Sequence, residues 1–487
     1  MLGGVGASLF VFVLYLLTLA PTVVSNFEEL DSPVLPASAY VLGVPQATGY
    51  PTYMLLAHLF TYLPFADVAY RVNLASALFG ALAVATIYLI GLTLTKRTVA
   101  AASGALGFGT GTLFWSQAVV AEVYTLNALL VALSVLVLLV WRQRREDKYL
   151  LLAAFLTGLS MTNHMTSALL LPAGFLCVLL VEGRKKILEW RLWLKGAGLI
   201  VVGLLPYIYL PLRALADPPI NVGNPSNLGG FLELISGAQF KGDMFVFGPW
   251  EVAGRLHAYL VYLLGQFHWV FLMVTLTGAL YLLVRDRAVF WLLSSLYFGW
   301  LFYALEYDIG DIETYFIPTY LILAIFGAVG LGALFKEAQA FTRGCSPGVR
   351  RLILGAFTAL ALLIPLLGLE KTYHTVDHSQ DYEGQRIIDL VARDTEPGST
   401  IFQLRSPLYY AQVVQGRRED LRLISFFEPQ NEQEPQSDEE KVNRLTAAAR
   451  EGSLYMLFPG DELLSQAELA GYRVVPVEKG TLYRVVP

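Results

Sequence analysis

A few ionisable residues stand at the ends of long apolar runs, and their types and spacing could do chemistry. Asp31, close behind Glu28 and Glu29, follows the first run and precedes Gln46 and Gly49-Tyr50-Pro51. A carboxylate held just above hydrocarbon can act as general base toward a hydroxyl nucleophile; a solvated loop acid is the plainer reading. Glu122, in Glu122-Val123-Tyr124-Thr125-Leu126-Asn127, begins the fourth run, where an acid would also complement a helix dipole. His164, in Thr162-Asn163-His164-Met165-Thr166, marks a turn where it could meet a ligand or bond to local backbone. Glu306, Asp308, Asp311 and Glu313 place four carboxylates in eight residues, which suits cations, water or a polyhydroxylated ligand, or plain solvation. Arg213, after Tyr207-Ile208-Tyr209-Leu210-Pro211-Leu212, could grip a phosphate through its planar fork or snorkel as an interfacial anchor. Ionisable groups at the membrane edge are costly, so each is a candidate site residue.

The elements that must position these groups are membrane spans. The chain has 487 residues, 55% hydrophobic and 15% charged, against roughly 25% charge in soluble proteins. A helix needs about 20 apolar residues to cross hydrocarbon. That rule predicts eleven spans, near 5–24, 70–95, 98–116, 118–141, 148–163, 165–181, 192–211, 266–284, 288–306, 315–335 and 351–369. Alternate loops and span edges carry seventeen Lys and Arg, from Lys96 and Arg97 to Arg350 and Arg351, whereas the other set has only Arg71, Arg213, Lys241 and Arg255. The positive-inside rule then puts the N-terminus in the cytoplasm and residues 371–487 outside, with a bacterial cell membrane as the expected setting. Residues 1–24 have no basic n-region and Leu19-Ala20-Pro21 is a poor cleavage site, so an uncleaved anchor is expected. A start further upstream would also account for the missing basic residues.

The expected organisation is a transmembrane bundle over 1–370, with long external loops at 25–69 and 212–265, and an external α/β domain over 371–487. Within the loops Ala37–Leu42, Tyr53–Leu63 and Glu251–Leu264 are too short or too polar to span and read as interfacial helices. In the tail, helices are predicted at 382–392, 408–415, 439–450 and 463–469, and strands at 399–404, 421–426, 454–458, 472–477 and 482–486. The acidic, Gln-rich stretch 428–440 reads as a mobile loop. The net charge of −5 is uneven: residues 1–370 hold 21 Lys and Arg against 20 Asp and Glu, and the tail 13 against 19. No clustered basic surface exists to neutralise phosphates, so nucleic acid is an unsuitable partner. Cys177 and Cys345 supply neither a disulfide framework nor a zinc site, and neither a P-loop, a Rossmann fingerprint nor a metal-ligand spacing occurs. Neither a metal nor a cofactor is expected.

Several ordered motifs resemble a known family. Asp31-Ser32, Leu42-Gly43-Val44 and Gly49-Tyr50-Pro51-Thr52-Tyr53 are followed by Arg71-Val72-Asn73-Leu74, Phe114-Trp115-Ser116 and Glu122-Val123-Tyr124. Gly158-Leu159-Ser160, Asn163-His164, Tyr209-Leu210-Pro211-Leu212-Arg213, Asp217-Pro218-Pro219, Gly223-Asn224-Pro225, Asp311-Ile312-Glu313 and Tyr315-Phe316-Ile317-Pro318 continue the match. In the tail Tyr409-Tyr410-Ala411-Gln412 and Gly416-Arg417-Arg418-Glu419-Asp420-Leu421 extend it. Together they are similar to a family of polytopic membrane proteins long catalogued as a domain of unknown function. Its vertebrate member is an ER protein O-mannosyltransferase acting on IPT domains of plexins and related receptors. The family lies in the GT-C superfamily, whose members transfer sugar from a polyprenyl-phosphate carrier and keep a catalytic acid in the first external loop.

The resemblance implies that Asp31 is this acid. It would deprotonate an acceptor hydroxyl, on a protein Ser or Thr or on a glycolipid, which attacks the anomeric carbon with inversion. Arg213 would hold the donor phosphate, and Glu122, His164, Asp311 and Glu313 would position sugar or acceptor hydroxyls, beside Tyr50 and Gln46. The sequence departs from the family's Asp-Ser-Gly-Glu-Leu and His-Pro-Pro-Gly-Tyr-Pro, having Val34 for the Glu and Gln46 for the His. Those departures keep a second expectation in play, a transporter or lipid-linked-sugar binding protein without transfer chemistry; a third is a glycan ligase or lipid-modifying transferase on the same scaffold.

Overall fold

A computed structural model describes residues 2–25, 31–403, 406–425, 445–450, 452–459, 461–469 and 471–486. Glu28, Glu29 and the acidic stretch 428–440 lie outside the described residues. The architecture is a transmembrane helical bundle followed by a small five-stranded α/β unit.

Among the described residues seven helices are long and apolar enough to cross a membrane: Val68–Thr95, Tyr124–Arg144, Met165–Glu182, Trp190–Leu215, Arg287–Leu305, Ile312–Gly344 and Pro347–Val376. Pro249–Gln266 and Trp269–Arg285, bent by 107°, form one broken span or a re-entrant pair. The other expected spans fall on shorter helices, Leu2–Leu17, Thr98–Gly109 and Asp147–Met161. Two sequence boundaries need correction. The run 98–116 is not one helix, because the chain breaks at Thr110-Gly111 before a short turn at Thr112–Ser116. The run from 118 turns helical only at Tyr124. Residues 118–123 are apolar enough to read as membrane-embedded, yet their backbone is satisfied from other elements. Ala20 N donates to Val119 O (3.0 Å), Asn163 Nδ2 to Val123 O (3.1 Å), and Ser76 Oγ bonds both Glu122 N and Glu122 O (3.1 Å each). Irregular backbone at membrane depth survives only with such partners.

Helices cross tightly where glycine permits. A Cβ on Gly278 would collide with Phe326 O and one on Gly330 with Val274 O; Gly158 and Gly203 meet Ile200 O and Phe155 O in the same way. Small residues let the paired helix backbones touch, which is how apolar helices gain packing energy inside lipid.

The helix ends segregate. At one edge the basic loops interlock through Arg142–Asp286 (2.5 Å), Lys186–Asp147 (2.7 Å), Arg145–Glu182 (2.8 Å) and Arg97–Gln339 (2.9 Å). The opposite edge carries Asp31 and the α/β unit.

That unit has strands β1 (Thr400–Gln403), β2 (Arg422–Ser425), β3 (Leu454–Leu457), β4 (Arg473–Glu478) and β5 (Leu482–Val486) in the order β2-β1-β3-β5-β4. β1 runs parallel to β2 and β3, while β5 is antiparallel to β3 and β4. Helices cover both faces: Ile387, Leu390 and Leu408 pack on one, Leu445, Ala448 and Ala467 on the other. The unit docks on the bundle at several points, among them the packing of the helix Leu408–Val413 on Leu35–Val41. Gly384 packs flush on Val23 O, where a side chain would not fit; His378 N donates to Thr18 O (3.1 Å); and Ala69 N donates to Tyr410 Oη (3.1 Å) at the start of the Val68–Thr95 helix.

Candidate active site

Asp31 opens a turn in which its carbonyl accepts from Val34 N (3.0 Å) and Leu35 N (3.1 Å), leading into the helix Leu35–Val41. That helix ends at Leu42 in a left-handed conformation (φ 51°), and Gly43 then passes so close to Ile220 O that a Cβ would lie 2.8 Å from it. Val44 pairs with the chain at 220–222, through Val44 N to Ile220 O (2.8 Å) and Val222 N to Val44 O (2.9 Å). A second sharp turn, with Gly49 at φ 82° and Tyr50 at φ 42°, starts the helix Pro51–Thr61. Glycine supplies that conformation without strain. The fold thereby returns Tyr50 to Asp31, with its hydroxyl 3.4 Å from Asp31 Oδ2.

The neighbouring groups form a connected polar cluster. Ser32 Oγ donates to Glu122 Oε1 (2.8 Å), with both residues buried. Tyr124 Oη donates to Asp311 Oδ2 (3.0 Å), whose backbone carbonyl accepts from Thr314 Oγ1 (2.8 Å). The Tyr124, His164 and Tyr315 rings pack mutually at 5.2 to 6.2 Å. Tyr50 lies within electrostatic reach of both Tyr124 and Tyr315, joining the Asp31 turn to the Asp311 loop. His164 bonds to Thr166 Oγ1 through Nδ1 (2.8 Å), and burial lowers its imidazole to about 4, so it is neutral at neutral pH. Tyr262 Oη donates to Glu313 Oε1 (3.1 Å). Asp311 and Glu313 border a cavity of about 1000 Å³ that also meets Gln117, Tyr262, Lys371 and His378. Among the described residues no three His, Cys, Asp or Glu converge as a metal-binding group.

The structure therefore draws together Asp31, Tyr50, Glu122, His164 and Asp311, with Glu313 on the adjoining cavity. Glu122 is not a solvated charge at a helix start. It precedes the helix by two residues and is 2% exposed, because the irregular segment 118–123 carries it inward to Ser32. Gln46 is 6% exposed, and among the described residues its Nε2 has no hydrogen-bond partner; a buried donor left unmade is expensive.

Arg213 takes a different place. Its Nε donates to Leu42 O (2.7 Å) and its Nη2 to Val41 O (3.0 Å), while Tyr209 Oη donates to Gly43 O (2.6 Å). The guanidinium thus closes the C-terminal end of the helix that follows Asp31. Sequence reasoning missed Ser32, Ser76 and Tyr315 as members of the cluster, and Gln117 and Lys371 as cavity residues. Ser76, a hydroxyl in the middle of an apolar run, was the readable signal.

The family resemblance read from the motifs holds in comparison with known proteins. Residues 31–187 match the family described as protein O-mannosyl-transferase TMEM260 N-terminal domain. The chain is 27% identical over 424 residues to protein O-mannosyl-transferase TMEM260 of Mus musculus, covering 81% of this chain and 59% of that one. It is 23% identical over 293 residues to the Dictyostelium discoideum protein of the same name, covering 56% and 35%. The chain thus spans less than two thirds of either relative. In fold it is similar to ArnT from Cupriavidus metallidurans bound to undecaprenyl phosphate, with TM-score 0.65, 12% identity, and 99% and 97% of the two chains covered. The arabinofuranosyltransferase AftD from Mycobacteria matches with TM-score 0.50 and 14% identity over 99% of this chain and 40% of that one. The fold is accordingly the one shared with these two membrane proteins.

Proposed function

We propose that the chain is an integral-membrane glycosyltransferase. It takes a sugar, mannose by likeness to its O-mannosyltransferase relatives, from a polyprenyl-phosphate donor and transfers it to a hydroxyl of an external protein or glycolipid. The observation that carries this reading is the convergence on Asp31 of Tyr50 and the Ser32–Glu122 pair, at the membrane edge beneath the α/β unit. The excess of basic residues on the other edge supports a cytoplasmic N-terminus and an external site.

Asp31 accepts the proton of the acceptor hydroxyl as its oxygen attacks the anomeric carbon. The bond from that carbon to the phosphate oxygen breaks, the lipid phosphate leaves with the electron pair, and the anomeric centre inverts. Tyr50, donating to Asp31, orients the carboxylate. Glu122 fixes Ser32 and so the backbone beside the base. Asp311 and Glu313, oriented by Tyr124 and Tyr262, accept from sugar hydroxyls. Neutral His164 supports the Tyr124 and Tyr315 rings. The donor is a substrate, and no resident cofactor enters the step.

The test is transfer by purified protein in proteoliposomes, with polyprenyl-phosphate mannose and a Ser/Thr-containing acceptor. Wild type makes product, and Asp31→Asn loses roughly 10²- to 10⁴-fold in rate, the usual worth of a general base, while still binding donor. Equal product from Asp31→Asn would remove the base. Donor flux or binding without product would favour the transporter or binding-protein reading.

A further inference from the structure

A lipid-phosphate donor needs a cation, and among the described residues the bundle arginines at the Asp31 edge are spent on backbone. Arg213 holds Val41 O and Leu42 O. Arg71 holds Thr61 O (2.6 Å), Asp67 O (3.0 Å) and Leu63 O. Arg255 holds Tyr307 O (2.6 Å), Leu305 O (2.9 Å) and Ala304 O (3.2 Å) and stacks over Phe247. Among the described residues the 1000 Å³ cavity beside Asp311 has one Lys or Arg in its wall, Lys371. Lys371 makes no side-chain hydrogen bond or ion pair with any described residue.

The cavity wall around this ammonium is suited to the phosphate end of a sugar donor. Lys371 and Thr375 stand one turn apart on the helix Leu369–Val376, and both line the space. Thr372, also in the wall, shares a hydrogen bond with Thr112 (3.1 Å). Gln117 is 3% exposed; among the described residues its Oε1 has no partner, and its Nε2 reaches only Ser116 Oγ at 3.4 Å. Such a buried acceptor calls for a hydroxyl donor from elsewhere. Asp311 and Glu313, already held by tyrosine hydroxyls, supply further acceptors in the wall.

We propose that this cavity receives the phosphate-bearing end of the polyprenyl donor, with Lys371 as the cation that meets the phosphate and Gln117 as an acceptor for a sugar hydroxyl. The assignment rests on the donor class proposed above. A lysine ammonium is a compact point charge with three donors, suited to a tetrahedral phosphate monoester or diester without a preset fork.

The experiment is direct binding of undecaprenyl phosphate to the full chain in nanodiscs, paired with donor KM in the transfer assay. Lys371→Ala weakens binding about tenfold or more, the worth of one charge-assisted contact, and raises donor KM with little change in kcat. Lys371→Arg restores most of it. Lys241→Ala, which removes an exposed ammonium outside the cavity wall, binds like wild type. Asp31→Asn also binds like wild type, which separates holding the donor from the chemistry. Wild-type binding by Lys371→Ala, with wild-type melting, overturns the Lys371 assignment and leaves the transfer reading standing. A wild-type chain that binds no undecaprenyl phosphate overturns both.

Discussion

Replacing Arg213 distinguishes a loop clamp from a phosphate ligand. In Arg213→Ala the carbonyls of Val41 and Leu42 lose donors at 3.0 and 2.7 Å. Hydrogen bonds from a charged donor contribute about 1.5–3 kcal/mol each, and partial exposure of Arg213 puts the pair near the low end, about 3 kcal/mol in total. At 1.4 kcal/mol per factor of ten, this corresponds to roughly a hundredfold shift away from the ordered loop. That loop carries Asp31 at one end and Tyr50 at the other, so the loss is expected in kcat. The steady-state transfer assay should show kcat reduced about a hundredfold, with donor KM within about threefold of wild type. Arg213→Lys keeps the charge but not the fork. One ammonium cannot serve both carbonyls in the same geometry, so it should recover only part of the rate. The reasoning is refuted if Arg213→Ala keeps kcat and raises donor KM tenfold or more, with Arg213→Lys close to wild type. That outcome would make Arg213 the phosphate ligand.

Two further outcomes follow from packing and titration. Gly330→Ala drives a methyl into Val274 O at the crossing of Trp269–Arg285 with Ile317–Phe341. Overpacking of this kind costs about 1–3 kcal/mol, and an unchanged melting temperature in detergent would remove the close crossing. His164 has its imidazole lowered from 6.5 to about 4 by burial. The unfolded chain therefore binds the extra proton first, so the contribution is complete above pH 6.5 and is lost as pH falls toward 4. The loss is about 1.4 kcal/mol per pH unit and about 3 kcal/mol in all. His164→Gln should flatten the melting temperature against pH in that window, and an unaltered slope would show that His164 is not the titrating group.

The large features were legible because they depend on composition over long windows. Apolar runs located the helices, the uneven Lys and Arg placed two kinds of edge, and alternating patterns in the tail gave the five strands in order. Boundaries failed where hydrophobicity and helicity part company. Residues 118–123 are apolar and buried but not helical, because Ser76, Asn163 and Ala20 supply their hydrogen bonds from elsewhere in the chain. No local pattern in 118–123 announces partners that lie forty or more residues away. At the candidate site, the acids were readable as rare charges among apolar residues. Their bonding was not: the Ser32–Glu122 pair spans 90 positions and the Tyr124–Asp311 pair 187. Such pairings are fixed by the crossing of helices, and the glycines that permit those crossings look ordinary in a chain with 42 of them.

Arg213 shows a demand that competes with ligand binding for charge at a membrane edge. Where helices stop and the chain turns, carbonyls lose their helical donors, and the adjoining hydrocarbon offers no water to replace them. A guanidinium presents five N–H groups in a fixed plane and can satisfy two or three such carbonyls at once, which an ammonium on a flexible stem does less well. Arg71, Arg213 and Arg255 each close a helix end or the loop after it in this way. The same backbone demand that makes arginine valuable at these turns removes it from the pool of groups facing a substrate. A lysine in the first turn of a helix, where the groups lacking helical partners are N–H donors and not carbonyls, escapes that demand. Lys371 stands in the first turn of Leu369–Val376, in the wall of the cavity that Asp311 and Glu313 border.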